Sequence, residues 1–419
     1  MTDPCSNPSF LSFEQAKQAL LTSVTPISDV ELINIEDADK RILATDIVSP
    51  MNVPAHNNSA MDGYALRDDL LASGEQELNQ FELVGSAFAG APFKGELQNG
   101  QCIRIMTGAI VPEGANSVVM QEQVTDIHND IGATIELTQP TKPQNNIRFA
   151  GEDIQQNTSV FKTGYQLKAV DLGLLASLGI SQIQVFRKLK IALLSTGNEL
   201  KHPSQTLSEG DIYESNSHVL NAMIKRMGFD VLPLGIIPDS PEQIEQAFNT
   251  ANKEADVVIS TGGVSVGEAD YTKEVLEQLG QVDFWKVAIK PGKPFAFGHL
   301  SESTFFGLPG NPVSAAVTFH QLTKPTLLML SGAKPSVPLI LSATLTQKIR
   351  KKAGRMDFQR GIASINEQGQ LQVTPLSAQG SGILSSISKA NCYIILAAEN
   401  TGLEVGELAQ IELFDDVIG

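Results

Sequence analysis

Residues 256–270 read DVVISTGGVSVGEAD. This stretch opens with a short apolar run, residues 257–260, which is typical of a buried parallel strand. A loop with three glycines follows and leads to Asp270, at the head of the amphipathic segment 271–279. Glycines let backbone N–H groups approach an anion, and a helix N-terminus adds a favourable dipole. The stretch therefore predicts a strand–loop–helix unit that can bind an anion.

A second segment, residues 289–314, reads IKPGKPFAFGHLSESTFFGLPGNPVS and supplies positive charge. Lys290 and Lys293 stand on either side of a Pro-Gly turn, in a chain that is otherwise strongly acidic. Together with the turn at Gly262 and Gly263, these lysines predict an anion or phosphate site. Glycine-rich turns after strands also occur merely to reverse the chain, so that reading remains open for the turn.

Residues 184–333 alternate predicted strands and helices, which is typical of a doubly wound α/β domain with a parallel sheet. Pro241 begins one predicted helix and Gly228 ends another, as expected of helix punctuation. The predicted strands are 189–195, 230–237, 256–260 and 283–288. The predicted helices between them are 216–227, 241–252 and 271–279.

Three carboxylates follow predicted strands of this domain: Glu199, Asp239 and Asp270. Ligands of such sheets bind beyond the carboxyl ends of the strands, so the three side chains are expected at one rim. Hard oxygen ligands suit Mg²⁺, and the set predicts a magnesium-assisted phosphate site. The alternative for Asp239 and Asp270 is helix capping, because each stands just ahead of a predicted helix.

The remaining segments predict smaller modules around this domain. Residues 12–24 are expected to form a capped helix, and 169–178 a second helix ended by Gly179. Short strands separated by turns fill 64–143, and alternating strands with glycine turns fill 338–419, typical of a small barrel or sandwich. The fold class is therefore multidomain α/β plus β. Its predicted domains are a discontinuous N-terminal domain (1–50 and 144–183), an inserted mostly-β domain (51–143), the α/β domain (184–333) and a C-terminal β domain (334–419).

Composition and charge exclude several classes of protein. The net charge of −17 argues against a nucleic-acid surface, which needs a basic footprint. The longest apolar runs are too short to span a membrane, and no signal peptide or disulfide pattern is evident, so a cytoplasmic protein is expected. The basic run KIRKKAGR, residues 348–355, stands out in this acidic chain and is read as a solvated face.

Many short motifs, spread over nearly the whole chain and in one order, resemble the molybdopterin molybdenumtransferases of the MoeA family, to which the gephyrin E domain also belongs. The motifs are SAMDGYA (59–65), RIMTGA (104–109), GEDI (151–154), STGNEL (195–200), GGVSVGEADYTK (262–273), IKPGKPFAFG (289–298), LPGNPVSA (308–315), FQRG (358–361) and QGS (379–381).

This resemblance implies the last step of molybdenum cofactor biosynthesis. Molybdate and adenylated molybdopterin would be the substrates, Mg²⁺ the metal and AMP the leaving group. It also implies a molybdopterin-binding α/β domain and a head-to-tail homodimer whose clefts use the partner's inserted domain. Other cofactor-biosynthesis proteins would be further partners.

The resemblance also implies roles for individual residues. The residues with implied catalytic roles are Asp62, Thr107, Glu199 and Asp270. The residues implied to bind substrate are Asp153, Gly262, Gly263, Lys290, Lys293, Ser314, Arg360 and Ser381. The residues implied to bind the metal are Glu199, Asp239 and Asp270. In a head-to-tail dimer, Asp62 and Thr107 would act across the interface.

Three positions depart from the family pattern. His56 and Asn57 stand where many relatives carry Phe-Asp, and Glu214 stands where Asp is usual. Two other functions compete with the transferase. One is a binding scaffold that keeps the fold without the chemistry, and the other is adenylation of molybdopterin, although separate adenylyltransferases resemble only the α/β domain.

Overall fold

A computed structural model of the chain describes residues 10–73, 76, 78–263, 271–334 and 337–419. The chain divides into two compact units. The first comprises Met1–Ala44, Gly164–Ala169 and Gln182–Gly419, and the second comprises Thr45–Thr163 and Val170–Ser181. In the described ranges no helix combines the length and the apolar character that crossing a membrane requires. The finer division into four domains stays a prediction.

Within its described residues, the first unit is built on a seven-stranded sheet. In spatial order its strands are Phe10–Leu11, Gly280–Val287, Pro294–Leu300, Thr304–Leu308, Val257–Thr261, Lys190–Thr196 and Asp230–Ile237. Six of these strands run in one direction, and Pro294–Leu300 runs against them. The sheet is therefore mixed.

Helices cover both faces of this sheet. Successive residues of a strand point to opposite faces, so one strand contributes side chains to the core on each side. On the Lys190–Thr196 strand, Ile191 joins a core with the helix Asn216–Arg226, whereas Ala192 joins a separate core with the helix Pro241–Glu254. The doubly wound fold is confirmed. Further helices of the first unit are Phe13–Ser23, Tyr271–Leu279, Pro312–Thr318 and Lys324–Leu330, with a π-helical turn at Phe319–Thr323.

The prediction of a parallel sheet was wrong at one strand. No strand was predicted at residues 294–300, yet they form a buried strand antiparallel to both neighbours. The connection from this strand to Thr304–Leu308 is only three residues long, and Leu300 N donates to Ser303 O at 2.9 Å. So short a link cannot join parallel strands, which need a long crossover.

The predicted capping box of the first helix is present. Ser12 Oγ accepts a hydrogen bond from Gln15 N at 3.1 Å, and Gln15 Oε1 accepts one from Ser12 N at 2.9 Å. The helix runs over Phe13–Ser23, close to the predicted 12–24.

Five described strands near the C-terminus close into a barrel. Each strand pairs with the next around the ring, and Met356–Ile365 closes it by pairing with Cys392–Leu396. The other three strands are Ile340–Leu345, Leu371–Pro375 and Leu408–Leu413. The sequence left a barrel and a sandwich open, and the structure decides for the barrel.

The second unit contains a five-stranded described sheet in the order Ser117–Met120, Gly63–Leu66, Gln101–Ile105, Gln80–Ala87 and Thr134–Glu136. The sequence HNNSAMDGYA, residues 56–65, predicts a polar loop, so the Gly63–Leu66 strand was missed. Gly63 lies so close to its neighbour that an added Cβ would fall 1.8 Å from Val119 O.

Segments on either side of this inserted sheet pair with each other. Val30–Asn34 pairs with Gln182–Phe186, and Ile47–Val48 pairs with Ser159–Phe161. The predicted second helix runs over Ala169–Ser177, ahead of Gly179. Further short pairs are Asn58–Ser59 with Ile147–Arg148, Leu200–Lys201 with Ile212–Tyr213, Ile289–Lys290 with residues 356–357, and Ile349–Arg350 with Gly402–Leu403.

Candidate active site

A cavity of about 960 Å³ lies in the first unit, at the carboxyl ends of the strands Lys190–Thr196 and Val257–Thr261. This is where ligands of open α/β sheets bind. The structure brings seven of the predicted site residues to its wall: Glu199, Gly262, Gly263, Lys290, Lys293, Ser314 and Ser381. The two stretches that open the sequence interpretation therefore meet at one site.

The lysine turn forms one wall of this cavity. Lys290 is half-buried, and its Nζ lies 3.2 Å from Asp357 Oδ2, whose side chain is only 2 % exposed. Lys293 is exposed, and its Nζ lies 5.0 Å from the centre of the Phe10 ring. Between them Gly292 has φ +114°, and a Cβ there would fall 2.4 Å from Thr318 Cγ2. The turn therefore holds two amines in place, one of them anchored by a buried carboxylate.

The Gly262–Gly263 turn forms a second wall and requires glycine. Gly262 has φ +85° and Gly263 has φ +62°. A Cβ on Gly262 would fall 2.6 Å from Thr196 O, and one on Gly263 would fall 2.3 Å from Thr272 Oγ1. The turn therefore does more than reverse the chain, because it packs directly against the end of the neighbouring strand.

We expect Gly262→Ala to destabilise the protein more than an alanine at another left-handed glycine. Gly210 is the matched control, since its φ is +92° and a Cβ there would meet nothing within 4 Å. Gly210→Ala should cost about 1–2 kcal/mol for the left-handed conformation. Gly262→Ala should cost about 1–3 kcal/mol more, because the Thr196 backbone must move. Denaturant unfolding of both variants measures the difference, and equal losses would contradict it.

Two of the three predicted rim carboxylates lie around one tight turn, residues 197–199. A Cβ on Gly197 would fall 2.6 Å from Glu199 Oε2, so the Glu199 carboxylate is folded over that glycine. Asp239 Oδ2 accepts a hydrogen bond from Asn198 N at 3.1 Å, and Asn198 Oδ1 accepts one from Asp239 N at 3.1 Å. Asp270 lies outside the described residues. Asp239 does not line the cavity wall itself.

Helix capping by Asp239 was a wrong alternative. The N-cap of the helix Pro241–Glu254 is Ser240, without a side-chain capping bond, and Asp239 instead joins two loops through Asn198. Within the described ranges, no group of three or more His, Cys, Asp or Glu side chains is placed to hold a metal ion. The magnesium site, which includes Asp270, stays a prediction.

A loop from the barrel and the start of a helix form the opposite wall. Ser314 lies in the first turn of the helix Pro312–Thr318, whose first residue is a proline. Val313 N donates to Ser381 O at 3.0 Å, which ties the loop 379–382 to that helix. The two serines predicted to bind substrate, Ser314 and Ser381, are thus held on adjoining backbone.

Arg360, also predicted to bind substrate, does not line this cavity. Its side chain is 1 % exposed, and its guanidinium donates to Ser386 Oγ at 3.2 Å, Phe358 O at 3.3 Å and Gly380 O at 3.4 Å. Burial lowers the pKa of Arg360, although the nearby Asp357 carboxylate opposes that shift. In this structure the arginine supports the loop that carries Ser381, and its contact with substrate stays a prediction.

The polar side chains that line the cavity without a predicted role include Glu214, Arg355 and Gln379. Glu214 is 5 % exposed and accepts hydrogen bonds from Ser195 Oγ at 3.1 Å and from Ser217 N at 2.7 Å. It therefore joins the strand end to the first turn of the next helix, and its departure from the usual Asp is accommodated there. Arg355 and Gln379 also line the wall. Arg355 belongs to the basic run that was predicted to be a solvated face. Its positive charge is the sequence feature that could have identified it as a residue of the cavity.

Asp62, Thr107 and Asp153 belong to the second unit. Asp62 Oδ1 accepts hydrogen bonds from Thr107 N at 2.7 Å and from Thr107 Oγ1 at 2.8 Å, and these bonds lower the pKa of the Asp62 carboxyl. Asp153 is exposed. Of the departing residues, His56 is exposed, and Asn57 Oδ1 accepts from Ala150 N at 2.9 Å. Asp62 and Thr107 thus form one exposed hydrogen-bonded pair.

Family models match three segments of the chain. They describe the MoeA N-terminal region (domain I and II) at residues 11–179, a probable molybdopterin binding domain at 192–329, and the MoeA C-terminal region (domain IV) at 342–414. These matches follow the order of the motifs along the chain.

Relatives over the full length agree. The chain is 46 % identical over 410 residues to the molybdopterin molybdenumtransferase of Haemophilus influenzae, covering 98 % of this chain and 100 % of that protein. It is 33 % identical to the enzyme of the same name from Bacillus subtilis, covering 93 % and 91 %. The crystal structure of the molybdopterin biosynthesis moeA protein from Pyrococcus horikoshii OT3 matches with a TM-score of 0.81 at 30 % identity, covering 97 % of this chain and 100 % of that one. The chain therefore belongs to the MoeA family of molybdopterin molybdenumtransferases, enzymes of molybdenum cofactor biosynthesis.

Proposed function

We propose that this chain transfers molybdenum from molybdate to adenylated molybdopterin in the last step of molybdenum cofactor biosynthesis. The pyrophosphate bond of the adenylated pterin is cleaved, AMP leaves, and molybdenum enters the dithiolene. The observation that carries the proposal is the cavity of about 960 Å³, in which the Gly262–Gly263 turn faces the Lys290–Lys293 turn. Bare backbone and fixed amines are the groups that bind phosphate and oxyanions.

The cations of the wall have a clear task in this reaction. Molybdate and a pyrophosphate are both anions, and they must approach each other inside one cavity. Lys290, Lys293 and Arg355 line that cavity and offset the repulsion between them. The same charges stabilise the phosphate of the departing AMP. Ser314 and Ser381 add hydroxyl groups that can orient an oxyanion.

Magnesium is part of the proposal. Glu199, Asp239 and Asp270 would hold it, and the fit rests on the first two, whose carboxylates lie around the turn 197–199. Thr196 Oγ1, at the start of that turn, is buried, has no hydrogen-bond partner among the described residues and offers one more oxygen. Oxygen donors of this kind suit Mg²⁺. The ion would neutralise charge on the pyrophosphate when bound.

We also propose how the protein assembles. The reaction takes place in the cytoplasm, in a homodimer in which Asp62 and Thr107 of one chain complete the cavity of the other. Other cofactor-biosynthesis proteins would deliver the pterin and accept the product. The ionised Asp62, held by Thr107 through two hydrogen bonds, supports this role because it presents a fixed carboxylate on an exposed loop.

Release of AMP tests the transferase directly. The purified protein is incubated with adenylated molybdopterin and Mg²⁺, with and without molybdate, and AMP and pterin-bound molybdenum are measured. The expected result is molybdate-dependent AMP release that matches molybdenum insertion. Tight pterin binding without AMP release would support the binding scaffold instead, and formation of adenylated pterin from ATP would support the adenylyltransferase.

A further inference from the structure

A second cavity, of about 400 Å³, adjoins the candidate active site. Five cationic side chains and one carboxylate line it: Lys290, Arg350, Lys351, Lys352, Arg355 and Asp357. Two of these residues, Lys290 and Arg355, also line the larger cavity. The basic run 348–355 is therefore not a plain solvated face, because most of its charges converge on this smaller cavity, which we call the basic cavity.

Part of the positive charge of the basic cavity is not balanced by a carboxylate among the described residues. Asp357 is buried, and its Oδ2 already accepts from Lys290 Nζ at 3.2 Å and Gln359 Nε2 at 3.1 Å. Among the described residues, Arg350, Lys352 and Arg355 form no ion pair, whereas Lys348 of the same run pairs with Glu404. In a chain of net charge −17, cations are brought together here although carboxylates are abundant. Mutual repulsion among them is relieved by binding an anion.

Backbone hydrogen bonds hold the walls of the basic cavity. Gly354 N donates to Ala398 O at 2.8 Å, and Met356 N donates to Ala288 O at 2.8 Å. Lys351 Nζ donates to Ala398 O at 3.0 Å and to Asn400 O at 2.8 Å. The loop that carries the cations is thus tied at several points, so an anion would bind with little ordering of the chain.

We propose that the basic cavity is a second anion site, which binds a tetrahedral dianion beside the candidate active site. The ligand is either a free inorganic oxyanion or the terminal phosphate of a nucleotide, since both present the same oxygens to arginine and lysine. This inference goes beyond the proposed transfer reaction, because an anion can bind in the basic cavity without reacting. Lys290 and Arg355 border both cavities and place the two anions next to each other.

The test compares anion binding by variants with the same change of charge. In Arg350→Gln/Lys352→Gln both changes lie in the basic cavity. In the control Lys348→Gln/Lys389→Gln the changes lie in the same barrel region, outside that cavity. Equilibrium dialysis with molybdate gives affinity and stoichiometry, and tungstate soaked into crystals gives the position of each anion. We expect two anions per chain in the wild type and the control, and loss of only the basic-cavity anion, or at least tenfold weaker binding there, in the double variant.

Separate competition experiments identify the source of the ligand. Displacement of tungstate from the basic cavity by AMP, at concentrations at which inorganic phosphate and sulfate have no effect, indicates a nucleotide phosphate, whereas displacement by inorganic phosphate, sulfate or molybdate but not by AMP indicates a free oxyanion. The absence of tungstate from the basic cavity would overturn the proposal. Equal weakening of anion binding in both double variants would also overturn it, since the protein would then attract anions through its general charge and not through this cavity. The AMP-release assay does not depend on this result, so failure of the anion site and failure of the transferase are distinguishable.

Discussion

The Lys290→Ala variant should transfer molybdenum at least about a hundredfold more slowly than the wild type, which corresponds to about 3 kcal/mol of barrier. Lys290 lines the candidate active site and the basic cavity, so its loss removes positive charge where two anions must meet. Molybdate dependence of AMP release measures the effect.

The same variant should also lose stability. Asp357 is 2 % exposed, and without Lys290 its described partner is Gln359, at 3.1 Å. Removing one member of a buried ion pair costs about 3–5 kcal/mol, but Lys290 is 44 % exposed, so we expect about 1–3 kcal/mol. Denaturant unfolding measures this loss.

Two further variants separate charge in the cavity from structural support. Lys293→Ala removes a cation from the same wall, but Lys293 is exposed and forms no ion pair among the described residues, so activity should fall while stability is kept. Adding Asp357→Asn to Lys290→Ala should restore stability without restoring transfer, because the buried charge is gone. Wild-type molybdate dependence in both single lysine variants would leave these residues without a role in the reaction.

Mixing two inactive variants should restore activity if the homodimer shares its clefts. Asp62→Ala removes the residue predicted to act across the interface, and Glu199→Ala removes a residue of the cavity in the first unit. Random exchange of subunits should recover about a quarter of the wild-type activity, because half of the dimers are mixed and each has one intact site. AMP release before and after exchange measures the recovery.

The matched control is a mixture of Asp62→Ala and Thr107→Ala chains. Asp62 and Thr107 hydrogen-bond each other within one chain, so every site in a mixed dimer would carry one defect. This mixture should stay inactive. Recovery in both mixtures, or full activity of a strict monomer in sedimentation, would contradict a shared cleft.

Much of the fold could be predicted from local features of the sequence. The helix Phe13–Ser23 follows from a capping box of two residues three apart, and the strand Asp230–Ile237 has the predicted bounds. The parallel strands end at one edge of the sheet, so the predicted positions of Glu199 and Gly262 at the cavity followed from the fold class alone. The prediction was wrong at Pro294–Leu300, where the short link to the next strand decides the direction.

The sequence by itself determined the fold class, the family and which loops meet at the candidate site, because these depend on periodicity, caps and motifs within a few neighbouring residues. Only the tertiary structure decided what surrounds each polar side chain. It buries Arg360 behind the loop 379–382, makes Asp239 a link to Asn198, and gathers most of the run 348–355 around a cavity. The physical reason is that burial, pairing and electrostatic environment depend on segments distant in sequence, whose approach is set by packing of the sheet, helices and barrel.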